Sequence, residues 1–196
     1  VVFEMAGELH IFDTGTRAVR KIEIQVPTDD LSRRPSTVSA AGSVEDFSLS
    51  PRGERAVMAA RGDIFTVPVE HGPTRNLTRS PGAHDREPSW SPDGKSVAFI
   101  SDRSWEEQIH IVAQDGKGEA RQLTDQLKAR LYALRWSPDG RRIAFSDKDG
   151  KLQVLTVETR ELVLVADEER GQLTDHCWSP CGHFLAFSSS DPNEFR

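Results

Sequence analysis

The chain has 196 residues, 36% of them hydrophobic, with 25 Lys and Arg against 31 Asp and Glu for a formal charge of −6. Mixed charge without a basic face argues against nucleic acid or an anionic membrane as partner, and no apolar run approaches the ~20 residues that cross a bilayer. The only cysteines, Cys177 and Cys181, flank one turn; they make no disulfide framework and fit free thiols in a reducing compartment.

In chain order, Val1–Met5, Glu8–Asp13 and Val19–Val26 read as three short strands joined by polar turns. They are expected to be the outer strands of a four-stranded unit whose first strand precedes the sequence, so the chain reads as a segment of a longer protein. Apolar alternation lapses over 27–44, where Pro, Ser, Arg, Asp and Gly dominate and a linker is expected.

From 45 to 196 one phrase recurs. Ser-Pro pairs begin at Ser50, Ser91, Ser137 and Ser179, spaced 41, 46 and 42 residues apart, and the second and third are followed by Asp-Gly. Pro presets φ for a turn, Asp-Gly tolerates the tight bend, and an alternating strand follows, as in Val97 to Ser101, Ile143 to Phe145 and Leu185 to Phe187. A period in the forties built from short strands marks propeller blades.

The first such blade has strands expected at Asp46–Leu49, Arg55–Ala60, Asp63–Val69 and Thr74–Leu77. The second spans Glu87 to Thr124 and the third Tyr132 to about Ala166; the fourth begins at Asp175 with two strands. Asp167–Leu173, the best helical candidate, contains Gly171 and reads as a loop. The fold class is therefore all-β: a partial beta-propeller of four-stranded antiparallel blades.

Pro88-Ser89-Trp90-Ser91-Pro92-Asp93-Gly94, followed by Ser101-Asp102-Arg103 and Arg121-Gln122-Leu123-Thr124, resembles the WD40-like repeat of TolB and its relatives. The stretch from Ala60 to Arg79, beginning Ala60-Arg61-Gly62-Asp63-Ile64-Phe65, looks like the opening blade of the second propeller in tricorn proteases. That resemblance implies that 1–26 close a six-bladed propeller and that 45–196 open a seven-bladed one. It also implies a large cytosolic serine peptidase acting on oligopeptides, with both propellers non-catalytic and the catalytic residues far downstream. No catalytic position of the family maps onto this chain, which departs from the repeat at Cys181, where Asp is usual, and at Arg52. A TolB-like protein-interaction module is the alternative. A prolyl-oligopeptidase-type propeller would need a Gly-x-Ser-x-Gly elbow that this sequence lacks.

Several residues carry sharper readings. Asp175, His176 and Ser179 are the residue types of a hydrolase triad, but Ser179 is the recurrent turn serine and strand neighbours point to opposite faces. His176, Cys177, Cys181 and His183 are metal-ligating types on one hairpin without counterparts in the other repeats. No metal or cofactor is expected there; Cys177 reads as buried and Cys181 as an exposed turn thiol. Trp90, Trp136 and Trp178 read as packing between blades, and Trp105, in a polar loop, as partly exposed. The residues entering the innermost strands are the substrate-channel candidates: Asp85, Arg86, Arg130 and Asp175, with Arg86 and Arg130 placed to meet a peptide carboxylate. The partners implied are peptides in the channel, other domains of the parent protein, and further copies of the chain joined through open blade edges.

Overall fold

The computed structural model describes residues 1–5, 7–24, 38–168 and 173–189. The chain divides into two compact units, 1–38 and 39–196. In the first, β1 (Val2–Met5), β2 (Glu8–Phe12) and β3 (Val19–Lys21) form a three-stranded antiparallel sheet in chain order. Gln25 and Val26, the end of the expected third strand, lie outside the described residues, as does 27–37 of the linker expected over 27–44.

In the second unit, Ala41–Ser43 form a short 3-10 turn and four meandering sheets follow. The first blade is β4 (Val44–Leu49), β5 (Arg55–Ala60), β6 (Asp63–Pro68) and β7 (Arg75–Asn76). The second is β8 (Asp85–Trp90), β9 (Ser96–Ser101), β10 (Gln108–Ala113) and β11 (Arg121–Gln122). The third is β12 (Leu131–Trp136), β13 (Arg142–Asp147), β14 (Lys151–Thr156) and β15 (Leu162–Asp167). The fourth sheet has β16 (Leu173–Trp178) and β17 (Leu185–Ser189). The first strands β4, β8, β12 and β16 neighbour one another in that order. This is the all-β, partly built propeller that the repeat predicts.

The alternation within β9 explains why the blades stack. Val97 and Phe99 enter a core shared with Val57, Ala59 and Ile64 of the first blade. Ala98 and Ile100 enter a second core with Leu131, Leu134, Ile143 and Phe145 of the third. Period-2 side chains thus bury both faces of a central strand, each against a different neighbouring sheet. Two tryptophans tie neighbouring sheets: Trp136 Nε1 donates to Ser89 O of the second blade at 3.2 Å, and Trp178 Nε1 donates from the fourth sheet to Arg135 O of the third blade at 3.0 Å.

The recurrent turn is a staple between hairpin strands. Ser91 Oγ donates to Asp93 Oδ1 at 2.6 Å and accepts Ser96 N–H at 3.0 Å; Ser137 does the same with Asp139 and Arg142. Those hydroxyls, and then the backbone N–H groups of Lys95 and Arg141, hold both carboxyls below the ordinary Asp value. Glycine is required here: Gly94 and Gly140 have φ of +69° and +71°, and each lies over the proline of the preceding repeat, Pro51 or Pro92.

His110, on β10, stacks on Phe99 with ring centroids 5.6 Å apart, as His10 stacks on Phe3 at the same distance in the first unit. In each case the two residues are cross-strand partners. The β1–β2 pair and the β9–β10 pair thus carry the same cross-strand Phe–His stack. Burial pushes the His110 imidazole below its ordinary value near 6.5; the Gln108 carbonyl and Asp85 oppose this, and Arg103 adds to it. In acid the unfolded chain binds a proton that the folded one refuses, so stability present above about pH 6.5 is lost as pH falls. Replacing His110 by Phe is expected to flatten part of the stability loss between about pH 7 and pH 5 in urea titrations. His176, shifted the same way by burial, keeps the remainder.

Candidate functional site

Each first strand carries a bulge, so the inner strands are not regular. Register shifts fall between Val44 and Asp46, Arg86 and Ser89, Tyr132 and Arg135, and Leu173 and His176. Glu87 and Ala133, at matching repeat positions, adopt φ of +49° and +57°. A bulge turns an N–H out of its own ladder, and the neighbouring blade supplies the acceptor: Ala133 N–H donates to Glu87 Oε2. Burial raises the Glu87 carboxyl above its ordinary value, with Asp46 adding to it, against the lowering pull of Ala133 N–H and Arg86.

Beside this contact Arg86 is buried and fully engaged. Its guanidinium donates to Glu107 through Nε at 3.2 Å and Nη2 at 2.6 Å, to Glu87 Oε1 at 2.8 Å and to Leu131 O at 2.8 Å. Glu107 Oε2 in turn accepts Leu131 N–H at 2.7 Å. The set forms a latch between the second and third blades. Asp85, 0% exposed, is held by Arg103 Nη2 at 3.0 and 3.1 Å and by Ser80 Oγ at 2.6 Å. Of the four channel candidates, these two are therefore held by neighbours within the protein.

Arg130 and Asp175 are placed differently. Arg130 is exposed, with its guanidinium carbon 6.0 Å from the centroid of the Tyr132 ring, and Arg86 lies 5.9 Å from the same centroid. The side chain of Arg130 makes no hydrogen bond or ion pair among the described residues. Its neighbour Lys148, whose N–H donates to Arg130 O, pairs with Asp149 at 2.6 Å. Asp175 is exposed on β16 at the bulge position matching Glu87, beside an open depression lined by Ala133, Arg135 and Phe187. The structure thus gathers Arg86 and Arg130 around Tyr132, while Asp85 turns to Arg103 and Asp175 stands on another strand. Glu107 and Tyr132 belong to this region and were not singled out by sequence, since their partners are set by how blades stack.

Ser179 is a turn staple. Its Oγ accepts Phe184 N–H at 3.0 Å and lies 3.2 Å from Cys181 Sγ, the atom standing where Asp93 and Asp139 place a carboxylate. That hydroxyl, then the backbone N–H of His183, lowers the Cys181 thiol from its ordinary value. Cys177, which the sequence reading buries, is exposed, and His176 is the buried neighbour. Neighbours on β16 fall on opposite faces of the strand, and of the two it is the His176 side that is covered. Among the described residues no three metal-ligating side chains converge. Trp105 is more exposed than expected, at 97%, on a loop where its own φ is +74°.

Comparison with known proteins agrees with this architecture. The tricorn protease second beta propeller domain matches residues 44–196. Tricorn protease homolog 1 of Streptomyces coelicolor is 27% identical over 202 residues, covering 100% of this chain and 19% of its own length. The tricorn protease homolog of Saccharolobus solfataricus is 22% identical over 188 residues, covering 96% of this chain and 17% of its own. The chain thus spans under a fifth of these relatives. Among solved structures, the crystal structure of the tricorn protease superposes with a TM-score of 0.67 at 22% identity, over 95% of this chain and 17% of that one. TolB from Acinetobacter baumannii gives 0.57 at 19% identity, over 91% and 42%; both likenesses concern the fold. With its blades, their inner strands and the match over 44–196 taken together, this chain belongs to the family of the tricorn protease second beta propeller domain.

Proposed function

We propose that this chain is a non-catalytic wall of a peptide channel in a tricorn-like serine peptidase, guiding oligopeptides by their termini. In this reading 1–26 close a preceding propeller, 27–44 link, and 45–196 open a second, seven-bladed one in a cytoplasmic protein. The observation that carries it is Arg130: an exposed guanidinium, free of ion pairs among the described residues, at the start of an inner strand. A planar fork of donors suits a carboxylate, and Tyr132 beneath it keeps the cation in place. Asp175, one inner strand further on, offers a carboxylate to an ammonium group. Asp85 and Arg86 act in this scheme by fixing the inner strands on which those groups stand.

A labelled oligopeptide with a free C-terminus, followed by fluorescence anisotropy, tests this. Arg130→Ala is expected to weaken its binding about tenfold, as losing a charge-assisted hydrogen bond does, and to leave the C-terminally amidated peptide unaffected. Equal loss for both peptides would count against carboxylate recognition. A second reading, a module for binding a protein partner, is favoured by Trp105 alone; Trp105→Ala should then lower partner binding without touching the peptide.

A further inference from the structure

We propose that β15, the outer edge of the third blade, is a pairing edge for a second copy of this chain, joined antiparallel about a two-fold axis. The three complete blades end differently. The first and second close with two-residue strands, Arg75–Asn76 and Arg121–Gln122, short and charged as guarded edges are. The third closes with six residues, Leu162–Asp167, and the sheet order ends at that strand. Val163, Leu164 and Val165 are 50%, 54% and 43% exposed, while Leu162 packs against the core. A long apolar edge whose alternate N–H and C=O groups point away from the sheet is a template for another strand.

The strand is complementary to itself. Setting Val163 opposite Leu164 of the copy places Leu162 opposite Val165, and brings Arg160, in the turn just before the strand, to the end of the copy's strand that carries Asp167. No like charges meet, and the two-fold axis makes the Arg160 to Asp167 pair twice. Both residues are exposed, and neither forms an ion pair among the described residues. The bulge at Val165, in the register with β14, twists the far end of the strand and sets the limit of a regular ladder. This contact lies on the outermost strand of its sheet and is independent of the channel reading.

Light scattering on a size-exclusion column, over a dilution series, reads the mass directly. The chain is expected to approach twice its monomer mass, and Val163→Lys with Val165→Lys to run as a monomer with unchanged near-UV dichroism. Arg160→Glu alone is expected to shift the midpoint of dissociation to higher concentration; adding Asp167→Arg should restore it. Phe47→Lys with Phe184→Lys, exposed on the first sheet and at the end of the last hairpin turn, should leave the dimer intact. A monomeric parent chain, a dimer that survives the two lysines on β15, or a charge reversal without rescue would each overturn the proposal.

Discussion

Arg86→Ala is expected to lower the unfolding free energy by about 3–5 kcal/mol, the range for breaking a buried ion pair from one side. The side chain of Arg86 serves three acceptors, and its removal leaves the Glu107 and Glu87 carboxylates without their cation and Leu131 O without its donor. The cost therefore comes mainly from stranded acceptors in a poorly solvated seam. Replacing Arg86 by Met and Glu107 by Leu together should cost less than Arg86→Ala does, since apolar pairs often replace buried ion pairs at little loss. Urea unfolding followed by tryptophan fluorescence measures both variants. If the double variant is the less stable, attraction within the latch outweighs desolvation.

Phe145→Ala is expected to cost a similar amount, about 3–5 kcal/mol. Phe145 is 0% exposed on the central strand β13 and packs with Ala98, Ile100 and Leu131, so the vacated volume lies between two sheets that are each held by their own hydrogen bonds and cannot close on it. Phe187 occupies the same place in the next repeat but is 44% exposed. Its replacement by Ala should cost under about 1 kcal/mol, because much of its surface already meets solvent. The same urea experiment on both variants separates burial from repeat position. Equal losses would mean that Phe187 is covered in solution.

Much of the architecture could be read from the repeat. The Ser-Pro pairs located the four hairpins, the alternation from Val97 to Ser101 placed β9, and the family resemblance came from the stretch Ala60 to Arg79. The structure adds why Ser recurs: its hydroxyl ties the two strands of each hairpin, which is why Ser179 needs no catalytic explanation. Three features were hidden for physical reasons. The Arg86 latch joins residues 21 and 45 positions apart, and its partners are chosen by blade stacking. The exposure of Cys177 depends on which face of β16 meets another sheet, something a period-2 pattern leaves open. The unequal lengths of β7, β11 and β15 depend on how far each pairs with the strand before it, which local propensity leaves open.

The channel reading turns on whether a bound peptide leaves whole. An oligopeptide incubated with the chain, separated by gel filtration and examined by mass spectrometry, gives that directly. Peptide retained with the protein and recovered intact is the expected result. Peptide that passes unretained would contradict the guiding role, and cleavage products abolished by Ser179→Ala would contradict the non-catalytic one.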